Sequence, residues 1–265
     1  MVRSGRAIAA FALIVTVVAG APKPPIAGAA QGGSFIVRCG ESHQRQVDPI
    51  VAPGSQLSAH MHEFFGNTST NFDSTYSSMI QAPTTCAFAA DTSAYWFPTL
   101  MAPDGTIVKA MSAKAYYRKT SGAGHHVVAF PPDFRMVVWG HYFYGCGNLR
   151  NPSPTPPNCG NATVRLTIDF PSCWDGQNID SPNHIDHVTF ATGTDCTGVF
   201  VPKLRLVVNY PIKDATGYGL SSDAGAGVTD GKSAHADFWN TWNQDALQAE
   251  VDACINAGIR CGPLH

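Results

Sequence analysis

The feature that most constrains the fold is a set of eight cysteines behind an N-terminal apolar segment in a chain of 265 residues. An even number of cysteines in an exported chain predicts disulfides. A thiolate zinc site needs closely spaced pairs, such as two cysteines separated by two residues, and the sequence has none. We expect sequence neighbours to pair: Cys39 with Cys86, Cys146 with Cys159, Cys173 with Cys196, and Cys254 with Cys261.

The N-terminus has the pattern of a secretory signal peptide. Arg3 and Arg6 precede an apolar run over residues 7–18, and small residues follow it. This run is shorter than the roughly 18 to 20 apolar residues that span a bilayer, and the sequence has no second run of that length. We therefore expect a signal peptide over residues 1–30, a secreted, extracellular protein and no membrane span.

The remaining residues, 31–265, are expected to form one domain, because they contain no long linker and no internal repeat. Removal of Arg3, Arg6 and Lys23 with the signal leaves 14 basic against 19 acidic residues, a net charge of −5. This charge excludes the basic surface that binds nucleic acid. We expect the mature protein to be a monomer.

Short segments rich in β-branched and aromatic residues predict strands. The chain has 19 prolines and 25 glycines, which separate these segments by long loops. Apolar residues at a helical spacing over residues 236–257, followed by Gly258, predict one C-terminal helix. The predicted fold is a mainly β, single-domain, jelly-roll-like sandwich with long loops and that helix. The predicted strands are SFIVRC, SAYWFPTLM, TIVKAMSAKAYYR, HVVAF, FRMVVWGHYFY, TVRLTIDF, HVTFA and KLRLVVNY.

Three motifs place histidines close together in sequence: SAHMHEFFG, SPNHIDH and SAHADFWNTW. Residues two apart in a strand project to one side, so the first motif can aim two imidazoles at one point. Taken singly, each motif also fits an ordinary role, namely a solvated strand face, a hydrated loop or a helix cap. The histidines and the acid in these motifs are His60, His62, His184, His187, His235 and Asp237.

The histidine motifs belong to longer strings that resemble the DUF1996 family of secreted bacterial and fungal proteins, a domain of unknown function. The resemblance covers nearly the whole chain after the signal. The strings are VDPIVAPGSQLSAHMHEFFG, TTCAFAADTSAYWFPTL, YYR, FPPDFRMVVW, FPSCWDGQNIDSPNHIDHV and HADFWNTW. The positions that match the family pattern are Ser58, His60, His62, Ser181, Pro182, Asn183, His184, His187, His235 and Asp237.

Histidines from three separate motifs favour one common site, and imidazole suits zinc, copper, nickel and iron. A catalytic zinc ion uses three protein ligands and a water, with Asp186 or Asp237 available as general base. In a metal-free alternative, a histidine acts as base and the phenol of Tyr95 or of another tyrosine acts as acid to cleave a sugar bond. We expect a divalent metal, zinc or copper, to be bound by some of the residues His60, His62, His184, His187 and His235, which together with Asp237 are also the catalytic candidates.

Aromatic residues beside the motifs favour a carbohydrate ligand, because exposed rings offer flat faces to sugars. The sequence lacks the motifs of serine hydrolases, helical zinc proteases and nucleotide-binding loops. The predicted function is a hydrolase or lyase of extracellular polysaccharide. The alternative is a non-catalytic module that binds a metal or a carbohydrate. The expected substrate-binding residues are Ser58, Tyr95, Trp174, Asp175 and Asn183.

Overall fold

The computed structural model describes Met1 and residues 32–120, 125–148 and 151–265. Apart from Met1, the predicted signal peptide over residues 1–30 lies outside these residues. Within them, no helix is both long and apolar enough to cross a lipid bilayer. The four predicted disulfides are confirmed: Cys39–Cys86, Cys146–Cys159, Cys173–Cys196 and Cys254–Cys261.

The described residues form mainly β-strands, as predicted. The strands are β1 (Ser34–Cys39), β2 (Glu41–Arg45), β3 (His62–Gly66), β4 (Ala94–Pro98), β5 (Leu100–Met101), β6 (Ile107–Val108), β7 (Ser112–Arg118), β8 (Arg135–Trp139), β9 (Tyr142–Cys146), β10 (Val164–Asp169), β11 (Cys173–Trp174), β12 (Val188–Thr189), β13 (Val199–Phe200), β14 (Lys203–Asn209), β15 (Gly219–Leu220), β16 (His235–Trp239) and β17 (Arg260–Pro263).

Two sheets form the body of the fold. The larger has the order β17-β1-β7-β14-β10-β9 and the other β2-β3-β4-β16-β8, while two three-stranded sheets, β15-β5-β6 and β12-β11-β13, lie outside them. Phe35 and Tyr117 from the larger sheet share one core with Phe65, Phe97 and other buried side chains of the five-stranded sheet. This shared core confirms the sandwich, whereas the jelly-roll detail is not confirmed.

The five-stranded sheet also carries a second, smaller core on its other face. Because side chains alternate along a strand, Phe64 and Trp96 project away from the main core and pack in this second core. Val47 and Ile50, from the segment between β2 and β3, cover them. We call this side of the sheet the outer face, and it positions the candidate site.

The helices are short. They are α1 (Tyr76–Met79), α2 (Asp223–Ala226), α3 (Gln244–Glu250) and a π-helical segment, Val251–Asn256, that continues α3. The C-terminal helix is confirmed, but its predicted start at residue 236 is wrong, because residues 235–239 form β16 between β4 and β8. Asn243 caps α3 by accepting a hydrogen bond from the Ala246 backbone N–H. The third histidine motif, SAHADFWNTW, therefore does not supply the cap.

Two further expectations about secondary structure are wrong. The segment HVVAF, residues 126–130, is not a strand, although Val127 and Phe130 are fully buried in the main core. The stretch after SFIVRC, where no strand was predicted before SAYWFPTLM, contains β2, which pairs with β3. Packing contacts distant in sequence therefore override the local pattern in both places.

Candidate functional site

Strand register brings the first and third histidine motifs together. His62 on β3 pairs with Pro98 on β4, and β4 pairs with β16 so that Asp237 lies opposite Trp96. His235, two residues before Asp237, therefore shares the outer face with His62, one strand apart from it. The chain just before β3 supplies His60, whose ring centroid is 4.3 Å from that of His62.

The three histidines form a compact group. His60 Nε2 lies 3.2 Å from His235 Nε2. One potential ligand atom from each of His60, His62 and His235 lies within 4.8 Å of the other two. Three imidazole nitrogens at this spacing can hold a transition-metal ion, and they leave a position for water or substrate in a tetrahedral site.

Backbone carbonyls fix the tautomer of two of these rings. His62 Nδ1–H donates to Val47 O at 2.9 Å, and His235 Nδ1–H donates to Ser233 O at 2.8 Å. A carbonyl only accepts, so each Nδ1 carries the proton and each Nε2 keeps its lone pair. This second-layer support is the usual arrangement for metal-binding histidines.

Burial keeps these imidazoles neutral and therefore able to ligate. His62 and His235 are buried, while His60 is partly exposed. Burial lowers the pKa of His235 to about 3. Burial, with the neighbouring His60 and His235, lowers the pKa of His62 well below its usual value, and burial also lowers the pKa of His60. The group reaches solvent on the His60 side.

Two carboxylates adjoin the histidine group. Asp48 Oδ1 accepts the backbone N–H groups of Ile50 and Val51, and its Oδ2 lies 3.9 Å from His62 Nε2. Asp237 is fully buried, and neither of its oxygens has a hydrogen-bond partner among the described residues. Burial, followed by the nearby Asp48, raises the pKa of Asp237 well above its usual value.

An exposed aromatic ring borders the group. Trp139, at the end of β8, stacks on His235 with ring centroids 4.0 Å apart and an interplanar angle of 29°. Its side chain is 45% exposed. A tryptophan that contacts a buried histidine and solvent can present a flat apolar surface to a ligand at the site.

The second histidine motif does not join the group. His187 uses both ring nitrogens, Nε2–H donating to Arg135 O at 2.7 Å and Nδ1 contacting Ser181 Oγ at 3.0 Å. His184 lies 2.9 Å from Asp180 through Nδ1, and its carbonyl accepts the Val137 N–H on edge strand β8. His187 is thus a packing residue, and His184 lies at the periphery.

The structure places Tyr95 away from the site. Its side chain is fully buried on the inner face of β4, where the phenol donates to Asp91 Oδ2 at 2.6 Å and contacts the hydroxyl oxygen of Tyr117 at 2.5 Å. Tyr95 therefore cannot meet a substrate at the outer face, so the acid of the metal-free mechanism would have to be another phenol. Ser58, by contrast, is buried and adjoins the site because its hydroxyl donates to His60 O at 2.8 Å.

The other expected substrate-binding residues shape their own loop. Asp175 Oδ1 accepts the N–H groups of Gln177 and Asn178, and Trp174 Nε1 donates to Asn178 O. Asn183 Oδ1 likewise accepts backbone N–H groups two and three residues ahead. These are local turn bonds of the kind that Asp and Asn form in loops.

Sequence reasoning missed Asp48 and the contact between Trp139 and His235. Asp48 carries only a weak signal in the sequence, because most acidic residues in loops face water.

Cys39, Cys86 and Asp91 also lie close enough together to be considered as metal ligands. The two sulfurs form a disulfide, so this group offers no thiolate ligand.

Comparisons with known proteins agree with the motifs. No curated protein and no solved structure matches the chain. The family model described as DUF1996, a domain of unknown function, matches residues 48–242, well over half of the chain and including the three histidines, Asp48, Trp139 and Asp237. The chain therefore belongs to the DUF1996 family.

Proposed function

We propose that this chain is a secreted metal-dependent enzyme, a hydrolase or lyase, that acts on extracellular polysaccharide. The observation that carries the proposal is the group of His60, His62 and His235, in which two rings are fixed by backbone carbonyls so that each Nε2 keeps the lone pair that can bind zinc or copper. Four disulfides support export to an oxidising compartment.

The residues of the site divide the chemical work. A bound divalent ion supplies Lewis-acid activation of a water or a substrate oxygen. Ser58 fixes the backbone at His60, the ligand on the solvent side. Trp139 offers its exposed ring to a sugar face next to His235. Asp237, two residues from His235, is an additional candidate for proton transfer.

A second candidate function is a non-catalytic, metal-binding module. The observation in its favour is the burial of two candidate ligands, since the His62 side chain is 0% and the His235 side chain 1% exposed. Structural metal sites are closed, whereas catalytic sites keep an open position. The partial exposure of His60 and the three-ligand geometry favour the open, catalytic alternative.

The test is turnover of a polysaccharide panel by untagged protein loaded with zinc or copper. We measure new reducing ends for hydrolysis and ultraviolet absorbance of unsaturated sugar for elimination. Loss of a metal ligand, as in His60→Ala, is expected to reduce turnover by at least about 100-fold. The matched control is His126→Ala, which removes an exposed histidine outside the group. If the metal-loaded protein consumes no polysaccharide, the enzyme proposal is wrong.

A further inference from the structure

A second group of potential ligands lies beside the three histidines. One ligand atom from each of Asp48, His62 and Asp237 lies within 4.8 Å of the other two. Asp48 is 5% exposed, and His62 and Asp237 are 0% exposed. His62 Nε2 and both Asp237 oxygens lack a hydrogen-bond partner among the described residues. Unpaired polar atoms at this depth are costly unless a ligand satisfies them.

We propose that Asp48, His62 and Asp237 form an inner cation position that binds an oxygen-preferring divalent ion such as Mn²⁺. The inner position shares His62 with the outer position formed by His60, His62 and His235. The chain therefore holds one ion at a time, in one of two places. This proposal concerns binding alone and does not require that the protein be an enzyme.

The inner ligands are held in place before an ion arrives. Asp48 Oδ1 is fixed by two backbone N–H groups, which leaves Oδ2 beside His62 Nε2 at 3.9 Å. Asp237 lies in β16 between two paired strands, opposite Trp96 on one side and Val137 on the other. Asp237 is thus held by its strand inside the sheet and Asp48 by its two backbone hydrogen bonds, so the two carboxylates cannot separate easily.

Charge also favours a cation at the inner position. Two buried carboxylates disfavour each other's ionised form, and a divalent ion between them removes that repulsion. No Lys or Arg side chain forms an ion pair with Asp48 or Asp237 among the described residues. The compensating positive charge must therefore come from a proton or from a metal ion.

The sharing of His62 follows from its hydrogen bond. Its Nδ1–H is occupied by Val47 O, so Nε2 has the single lone pair available to a metal. The two positions also differ in their donor atoms. The outer position offers three imidazole nitrogens, whereas the inner position offers one imidazole nitrogen and two carboxylates. Imidazole-rich sites suit zinc and copper, whereas carboxylate-rich sites suit manganese.

The experiment measures Mn²⁺ and Zn²⁺ binding to the same set of folded variants. Free Mn²⁺ is followed by electron paramagnetic resonance and Zn²⁺ by calorimetry, after near-ultraviolet circular dichroism has shown that each variant is folded. Asp237→Asn is expected to weaken Mn²⁺ binding by at least about 100-fold and Zn²⁺ binding by no more than about threefold. His60→Ala is expected to have the reverse effect, and Asp73→Asn, at an exposed position outside the site, is the control for a lost charge.

Three results would overturn the proposal. The first is an absence of Mn²⁺ binding to the wild-type protein, as expected if a proton alone occupies the carboxylates. The second is unchanged Mn²⁺ affinity in Asp237→Asn, and the third is simultaneous binding of both ions by the wild-type protein. If Asp237→Asn does not fold, Asp48→Asn serves as the second inner variant. A protein that shows the expected pattern but degrades no polysaccharide refutes the proposed enzyme and keeps the inner position.

Discussion

Two buried polar clusters lie on opposite faces of the same sheet, and they differ in how far their hydrogen bonds are satisfied. On the inner face, the Tyr95 hydroxyl contacts Asp91 and Tyr117, and Trp242 Nε1 donates to the Tyr117 hydroxyl at 3.0 Å. On the outer face, His62 Nε2 and both oxygens of Asp237 have no such partner in the described chain.

This difference in hydrogen bonding distinguishes a structural cluster from a candidate functional site. Both clusters contain an acid whose pKa is raised by burial, Asp91 to about 7 and Asp237 well above its usual value. A raised pKa therefore does not by itself identify a functional residue, because a satisfied internal network produces one too. The unused hydrogen-bonding capacity of His62 and Asp237 is what distinguishes the outer cluster.

The largest expected effect is a pH dependence of stability that comes from Asp91, in the polar cluster on the inner face of the sheet. Asp91 is completely buried, and its pKa rises from 3.8 to about 7 on folding. The folded state therefore binds this proton more tightly, so the contribution of Asp91 to the free energy of unfolding falls by about 4 kcal/mol as pH rises from about 4 to 7. Urea unfolding at several pH values measures this fall.

The variant that isolates this effect is Asp91→Asn, which removes the titrating group and should flatten the fall. Burial also raises the pKa of Glu63 to about 7 and raises the pKa values of Asp48 and Asp237, so the wild-type slope contains all these groups. Only the difference between the two proteins reports on Asp91. If the substitution also destabilises the protein by an amount that does not depend on pH, the free energy of unfolding falls equally at every pH and its slope against pH is unchanged. Equal slopes in the two proteins would contradict the assignment.

A smaller effect should come from zinc, and it belongs to the outer cluster. At a free concentration of about 100 times Kd, zinc stabilises a folded protein by about 2.7 kcal/mol if it does not bind the unfolded chain. We expect this gain in wild type and in His126→Ala, measured by urea unfolding at pH 7. His60→Ala should lose most of it. An undiminished gain in that variant would show that zinc binds elsewhere.

The disulfides and the histidine group could be predicted from the sequence to different extents. The disulfides follow from the number of cysteines in an exported chain, and the meeting of His60 with His62 follows from their separation by one residue. Both signals are visible locally in the sequence. The approach of His235 required the pairing of β4 with β16, which no local pattern shows. The three histidine motifs favoured one common site, and this pairing brings the third motif to the first.

The errors have the same physical origin. Phe238 and Trp239 fit a helical spacing, but they lie on opposite faces of β16, because pairing with β4 and β8 decides the local structure. His187 has the residue type of a ligand, and only the folded chain shows that Arg135 O occupies its Nε2. Asp48 became part of the site because a loop distant from β16 covers its outer face.

The comparison of the two clusters can be tested directly in metal-free protein. Tyr117→Phe deprives Trp242 Nε1 of its acceptor and Tyr95 of a partner, so we expect a loss of about 1–3 kcal/mol in the free energy of unfolding. Asp237→Asn breaks no hydrogen bond among the described residues and should cost less than about 1 kcal/mol. Chemical denaturation at pH 7 compares them. A larger loss in Asp237→Asn would mean that the outer cluster is structural.

The smallest expected effect tests how the outer ligands are held. Ser58→Ala removes the hydroxyl that donates to His60 O at 2.8 Å, and the expected cost is about 1 kcal/mol of stability together with roughly tenfold weaker zinc binding. Ser55→Ala is the matched control, because its hydroxyl donates to Leu57 O in the same loop, at an exposed position away from the ligands. Since both substitutions delete a serine-to-carbonyl bond, only support of His60 predicts a difference in zinc affinity between them. Equal affinities in the two variants would show that β3 alone fixes the position of the first motif.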